Sequence, residues 1–240
     1  MPLTRRMFAQ LVASALLLRH LPALAQTPLT VAVGGSPGPN ITQRVVSAGA
    51  PADMLLLAVA PEKLVGLSSF DLSRQTAIPF HDDIRALPKL GRLAGRASTL
   101  SLEALLALKP DLVVDCGNAD ETWLSQARQV SAQTHIPWLL INGELRHTPE
   151  QLRAVGEVLG VVSRTAMQAA LARRFIDDAI AFSHSPAANL RFYAARGARG
   201  LETGLQGSLH TEAAELLGLQ NVAHIPGRQG LTQVSMENLL

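Results

Sequence analysis

The stretch Ser101-Leu102-Glu103-Ala104-Leu105-Leu106-Ala107-Leu108-Lys109-Pro110-Asp111-Leu112-Val113-Val114 sets the architecture of this chain. A serine suited to capping a helix is followed by an apolar helical run, a proline that ends the helix and a β-branched run typical of a buried strand. The first six residues return, in part, as the last six, Ser235-Met236-Glu237-Asn238-Leu239-Leu240. The repetition predicts two similar lobes, of which the second is cut off before its strand. We expect the chain to be a fragment, or a gene product that is poorly stable alone.

Strands alternate with helices on both sides of this stretch. The apolar runs predict strands and helices in the order strand 44–49, helix 52–59, strand 64–68, strand 111–116, helix 121–133 and strand 137–142. Such alternation is typical of an α/β fold with a parallel, doubly wound sheet. The Gly/Pro-rich residues 26–40 lack the Lys-Ser/Thr of a phosphate loop, so we expect a spacer there.

A long helical pattern separates the two predicted lobes. Thr148 is predicted to cap a helix that ends near Gly160, and a second helix follows to about residue 182. Leu171, Phe175 and Ile176 are expected on its inner face. The predicted organisation is a signal peptide at 1–25, a first α/β lobe at 26–147, linking helices at 148–183 and a partial second α/β lobe at 184–240.

The first 25 residues have the composition of an export signal. Thr4-Arg5-Arg6-Met7-Phe8 resembles a twin-arginine motif, an apolar run too short to span a bilayer follows, and Ala23-Leu24-Ala25 is a small-x-small cleavage site. A Sec signal with two ordinary arginines remains an alternative. Either route predicts a periplasmic protein cleaved after Ala25.

The charge balance excludes a nucleic-acid footprint. Arg5, Arg6 and Arg19 belong to the export signal, and removing these three from the 21 basic residues leaves 18 against 19 acidic ones. The single cysteine, Cys116, excludes an internal disulfide. No pair of histidines has metal-ligand spacing, so we expect no metal site and no cofactor.

Several segments, taken in order, resemble one known family. They are similar to the periplasmic substrate-binding proteins of ABC importers for iron–siderophore complexes, cobalamin and haem. The resemblance implies two lobes joined by one rigid helix, a monomer, a ligand held between the lobes, and a permease in the inner membrane as partner. The segments that carry it are 44–47, 55–58, 64–68, 105–113, 136–137, 221–223 and 234–237.

The resemblance also implies two docking residues. One glutamate on each lobe contacts arginines of the importer, and the matching positions are Glu103 and Glu237. Each is expected in the first turn of its helix, where the helix dipole favours a carboxylate that can bind arginine in a bidentate manner. The alternative is a purely local role at the helix terminus.

Ligand contacts are expected from loops that follow strands, because the carboxyl ends of parallel strands share one edge of the sheet. Arginines there suit anionic catecholate, hydroxamate or propionate oxygens, although they are equally compatible with solvated turns. Many relatives carry a glutamate where this chain has Met54, and no role follows for Asp53 beside it. The candidate cleft residues are Pro51, Ser69, Phe70, Asn118, Asn142, Arg196, Arg199, Glu202 and Thr203.

These patterns favour capture of a chelated metal or tetrapyrrole for import, without catalysis. An alternative is a periplasmic hydrolase or transferase on a doubly wound fold, although neither Gly-x-Ser-x-Gly nor Gly-x-Gly-x-x-Gly occurs in the sequence. A third hypothesis is a sensor that uses the same cleft. Under that hypothesis Glu103→Ala and Glu237→Ala leave signalling unchanged.

Overall fold

The computed structural model describes residues 29–73, 80–93, 98–185 and 188–238, so the predicted signal peptide lies outside the described residues. The strands are β1 Thr30–Val33, β2 Val45–Ser47, β3 Leu112–Gly117, β4 Trp138–Asn142, β5 Arg191–Phe192, β6 Glu202–Gly204, β7 Gln220–Asn221 and β8 Leu231–Gln233. The helices are α1 Ala50–Val59, α2 Asp82–Arg85, α3 Leu102–Ala107, α4 Glu121–Thr134, α5 Thr148–Leu159, α6 Val162–Ser183 and α7 Glu212–Leu216. Short 3-10 turns lie at Pro61–Lys63, Leu145–His147 and Met236–Asn238. We call residues 29–147 the first region and residues 188–238 the second region.

The first region is built on one sheet with the strand order β1-β4-β3-β2. Strands β2, β3 and β4 are parallel, and β1 pairs with β4 in the antiparallel sense. Parallel bridges from Val45 to Leu64 and from Leu67 to Lys89 continue the sheet beyond β2. The α/β fold with a mainly parallel sheet is therefore confirmed.

Both faces of this sheet are covered by helices. Leu112 and Val114 of β3 join a buried cluster with α1, α5 and α6, whereas Val113 joins a second cluster with α3 and α4. Alternate residues of a strand point to opposite faces, so a strand buried on both sides is apolar throughout. This accounts for the continuous apolar run that the sequence shows at 112–114.

Helices α5 and α6 pack closely against each other. Gly160, at φ 69°, ends α5 and turns the chain into α6. A side chain at Gly156 would overlap Thr165 Oγ1, so glycine sets the helix–helix distance. The Arg164 guanidinium donates to Val59 O at 2.7 Å and pairs with Glu62 at 2.9 Å, which ties α6 to the first region.

The second region contains smaller sheets. Strands β5 and β7 form a parallel pair, and β6 and β8 form an antiparallel pair. Helix α7 begins after Thr211, whose hydroxyl donates to Leu205 O at 3.1 Å instead of capping the helix. Helix α6 packs against α7, so the second region follows the far end of the long helix.

Three local predictions are wrong. Residues 26–40 contain strand β1, which escaped detection because its four residues lie against a Gly/Pro-rich segment. Thr148 is the first helical residue, after a His147 N-cap without a side-chain hydrogen bond. Leu171 and Phe175 are 49% and 64% exposed, because the inner stripe of α6 instead contains Thr165, Ala169 and Ile176.

Within the described ranges, no helix combines the length and the apolar character needed to cross a membrane.

Candidate functional site at the carboxyl edge of the sheet

The carboxyl ends of the parallel strands meet at one edge of the first region. The Gly143 amide after β4 donates to Gly117 O at the end of β3, at 2.8 Å. A Cβ at Gly143 would approach Gly117 Cα to 3.2 Å, so glycine permits this close approach. Loops that follow β2, β3 and β4 therefore lie side by side, as the topology of a doubly wound sheet requires.

The predicted first-region contacts occupy this edge to different extents. Pro51, at the start of α1, and Asn118, directly after β3, are exposed. Ser69 and Phe70 are half-buried, and Phe70 packs against the apolar cluster around α1. Asn142 is only 5% exposed, and its backbone carbonyl accepts a hydrogen bond from the Gln151 side-chain amide. Burial removes the Asn142 side chain from contact with a large ligand.

Arg196 lies at the centre of a polar group in the second region. Its Nε is 3.8 Å from the Glu202 carboxylate, and its Nη1 is 3.4 Å from His210 Nδ1. A guanidinium only donates, so His210 Nδ1 accepts and the ring proton of neutral His210 lies on Nε2. Burial and the positive charge of Arg196 lower the pKa of His210, against the opposing effect of Glu202. The ring therefore offers Nε2–H as a neutral donor.

The other predicted second-region contacts are not brought into this group. Arg199 is exposed in the turn between β5 and β6. Thr203 is fully buried, and its hydroxyl donates to Gly204 O at 3.4 Å. Thr203 is thus part of the interior, because alternation along β6 turns it away from the face of Glu202.

A direct hydrogen bond joins the two regions near the carboxyl edge. The Leu145 amide, three residues after β4, donates to Glu212 Oε2 at 2.8 Å. Glu212 is the first residue of α7, so an acid that the sequence explains as a helix-terminal charge also holds the regions together. No feature of the sequence separates these two roles.

Asp53 has a structural role that the sequence did not reveal. Its side chain is fully buried, and its Oδ1 accepts from the Ser68 amide at 2.8 Å. Its Oδ2 accepts from the Ser68 hydroxyl and from the Ser69 amide, both at 2.9 Å. The carboxylate thereby fixes the loop that carries Ser69 and Phe70. An acid on the inner face of an otherwise apolar helix was the available signal.

Two titratable groups lie near the end of β3, the buried Asp115 and the half-buried Cys116. Burial raises the pKa of Asp115 to about 6, although the hydrogen bond from the Cys116 amide opposes this. Burial, with the charge of Asp115, raises the pKa of the Cys116 thiol to about 12. The thiol is therefore protonated at neutral pH, which makes it a poor nucleophile.

Glu103 and Glu237 have matching local environments. Each is exposed and lies two residues after a serine, Glu103 in the first turn of α3 and Glu237 in the 3-10 turn Met236–Asn238. The backbone amide of Glu103 and the Ser101 hydroxyl lower the pKa of Glu103. The Ser235 hydroxyl and its own amide lower the pKa of Glu237. Both glutamates present a charged carboxylate to solvent.

Two cavities lie away from these residues. One of about 470 Å³ lies between the end of β1 and helix α4, and the adjacent residues Gly34 and His135 also line it. Another, of about 610 Å³, is lined by second-region residues from Gln206 to Gln229. Neither contains a predicted cleft residue. In the part of the chain that the structure describes, no three His, Cys, Asp or Glu side chains are grouped to hold a metal ion.

Solved structures of other proteins share this architecture. An ABC transporter solute-binding protein from Sulfurospirillum deleyianum superimposes with a TM-score of 0.72 at 25% identity, over 84% of this chain and 64% of that one. The chain has the fold of the periplasmic solute-binding proteins. It thus spans just under two thirds of the length of that relative.

Other solved structures share the solute-binding fold. A periplasmic vitamin B12-binding protein of Vibrio cholerae has a TM-score of 0.63 at 20% identity, over 83% of this chain and 72% of that one. A periplasmic haem-binding protein from Roseiflexus sp. RS-1 has a TM-score of 0.59 at 20% identity, over 82% and 72%. These neighbours are binding proteins, not enzymes. Comparison of the sequence with family models and with curated proteins found no match.

Proposed function

We propose that the chain is the solute-binding component of an ABC importer, exported to the periplasm and cleaved after Ala25. It captures a metal chelate such as an iron–siderophore complex, or a tetrapyrrole such as cobalamin or haem, between its two regions. The observation that carries this proposal is the superposition at a TM-score of 0.72 on a solute-binding protein of an ABC transporter. The protein acts as a monomer, with 148–183 as the link between lobes 26–147 and 184–240.

The ligand contacts follow from exposure and charge. Pro51, Ser69, Phe70 and Asn118 supply the first-region side, since they lie at the carboxyl edge and remain at least partly exposed. The second-region side carries Arg196, Arg199, Glu202 and, in addition, His210. Because Arg196 and His210 Nε2 are both donors, this side suits anionic oxygens such as those of phosphate, carboxylate or catecholate groups. Asn142 and Thr203 are buried and do not belong to the proposed ligand surface.

Calorimetric titration tests capture. The purified protein is titrated with four candidate ligands and, for comparison, with molybdate. The candidates are a ferric catecholate siderophore, a ferric hydroxamate siderophore, cyanocobalamin and haemin. One of these four is expected to bind at micromolar concentration or below. Arg196→Gln should weaken binding at least tenfold, because it removes a charged donor. Absence of binding by all four would overturn the proposal.

Docking to the permease is assigned to Glu103 and Glu237. Both carboxylates are exposed and ionised, and both occupy the same position relative to a preceding serine. Charge reversal to lysine at both positions should abolish importer-dependent uptake in the native cell while leaving calorimetric affinity unchanged. Glu121→Lys is the matched control, since Glu121 is also a first-turn acid on an exposed helix start. A loss of ligand affinity in the double variant would contradict the docking role.

A further inference from the structure

The hydroxyl groups of Ser68 and Ser69 form a short chain that ends on the buried carboxylate of Asp53. Ser68 Oγ lies 2.9 Å from Asp53 Oδ2, and Ser69 Oγ lies 3.1 Å from Ser68 Oγ. Ser68 is 1% exposed and Asp53 is fully buried, whereas Ser69 is half-buried at the carboxyl edge. This series of hydrogen bonds therefore runs from the interior of the first region to the proposed ligand surface.

The direction of each hydrogen bond follows from the number of protons. A serine hydroxyl has a single proton to donate. The Ser68 hydroxyl donates that proton to Asp53 Oδ2. In the contact between the two hydroxyls Ser69 must then be the donor, so its own proton points inward. Only the oxygen lone pairs of Ser69 remain for a ligand.

The backbone holds this arrangement in place. The amides of Ser68 and Ser69 both donate to Asp53, which fixes the two residues relative to α1. Among the described residues no lysine or arginine forms an ion pair with Asp53. The Asp53 carboxyl oxygens thus accept from two amides and one hydroxyl, and the outermost group of this series, Ser69 Oγ, is left as an acceptor.

We propose that Ser69 is a specificity-determining residue that accepts a hydrogen bond from an N–H or O–H group of the ligand, with Asp53 and Ser68 as positioning residues. This inference rests on the proposed function, and it narrows the ligand class. The Arg196 and His210 side of the second region requires anionic oxygens, and the Ser69 side requires a donor. Cobalamin carries anionic phosphate oxygens and carboxamide N–H donors. Amide-bearing siderophores also combine anionic oxygens with N–H donors. In ferric haem neither the porphyrin nitrogens nor the ionised propionates carry an N–H or O–H donor at neutral pH.

Neutron diffraction from crystals of the protein exchanged into D2O tests the hydroxyl directions without a ligand. The expected nuclear density places the Ser69 deuteron toward Ser68 Oγ and the Ser68 deuteron toward Asp53 Oδ2. A Ser68 deuteron directed at Ser69 would overturn the inference.

Calorimetry with cyanocobalamin and haemin tests the recognition. Cyanocobalamin should bind more tightly than haemin, and Ser69→Ala should weaken cyanocobalamin about 3- to 10-fold, the loss of one neutral hydrogen bond. Ser69→Thr retains the hydroxyl and should restore the affinity. Ser73→Ala is the matched control, because the exposed Ser73 hydroxyl donates to Asp71 within the same loop.

The possible outcomes separate the two proposals. Tighter binding of haemin than of every N–H-bearing ligand, or unchanged affinity of Ser69→Ala for the cobalamin or siderophore that binds the wild type, overturns recognition through Ser69 and leaves the solute-binding function standing. If no chelate or tetrapyrrole binds the wild type, the solute-binding function itself fails and takes the ligand role of Ser69 with it.

Discussion

The first and second regions share a local plan but differ in how much apolar surface they bury. Both contain parallel pairing and a serine two residues before a glutamate, at the start of α3 in the first region and of the 3-10 turn Met236–Asn238 in the second. The two apolar clusters, however, contain only residues of the first region and of α5 and α6. Among the described residues after α6, only Ala188, Leu205 and Leu216 are buried hydrophobics. A similar sequence plan can thus produce regions with unequal shares of the stability.

Core truncation should show the largest difference between the regions. Leu56→Ala, in the fully buried centre of α1, is expected to lower the free energy of unfolding by about 3–5 kcal/mol because it leaves a cavity. Leu216→Ala, in α7, should lower the free energy of unfolding by about 1 kcal/mol, because few buried residues surround Leu216 and the site can collapse around the smaller side chain. Urea unfolding of both variants measures this. Equal losses would show that the second region shares fully in the cooperative core.

Asp115 should make the stability of the first region depend on pH. Its pKa rises from 3.8 to about 6 on folding, so the folded state holds the proton more tightly. The resulting stabilisation is complete below pH 3.8 and is lost as the pH rises through 6, a difference of about 3 kcal/mol. Relative to wild type, Asp115→Asn should therefore gain about 2 kcal/mol of this between pH 4 and pH 7.5 in urea unfolding. A constant difference between the two proteins across that range would contradict the buried carboxylate.

Gly156→Ala should weaken the contact between α5 and α6. The added methyl group overlaps Thr165 Oγ1, and such overpacking costs about 1–3 kcal/mol. Gly38→Ala is the control, since a Cβ at Gly38 has no atom within 4 Å. Thermal unfolding of both variants measures the difference, and equal melting temperatures would mean that α6 can move away without loss.

Cys116 should report opening of the first region without changing its stability. Because the pKa of its thiol is about 12, reaction with a disulfide reagent at pH 8 should be on the order of a thousand times slower than for an ordinary cysteine. In urea the rate should return to the ordinary value. A fast reaction in buffer would show that the end of β3 is accessible in the native state.

The sequence was most informative where hydrophobic periodicity was long. The elements around β3, α4 and β4 were predicted within one or two residues, because both faces of the sheet demand apolar side chains. In the second region strand β5 comprises only Arg191–Phe192, because few neighbouring strands are available there to pair with an extended chain. Short edge strands such as β1 leave little pattern, because pairing with β4 and not composition defines them.

The site was predictable only to the level of loops. The topology of a parallel sheet correctly indicated that residues after β2, β3 and β4 lie together. It did not give side-chain directions, so the burial of Asn142 and Thr203 was not foreseen. Asp53 was overlooked because its partners are 15 and 16 residues away. The docking roles of Glu103 and Glu237 stay predictions.

Helix α6 also has a mechanical consequence. It contains 22 residues without glycine or proline, and at about 1.5 Å per residue it measures about 33 Å. Deleting one residue from the exposed middle of α6 would rotate the residues after the deletion by about 100° about the helix axis, relative to those before it. Glu212 could then no longer reach the Leu145 amide. The length of this helix therefore fixes the relative orientation of the two regions, and evolutionary insertions are expected in the surface turns and not within it.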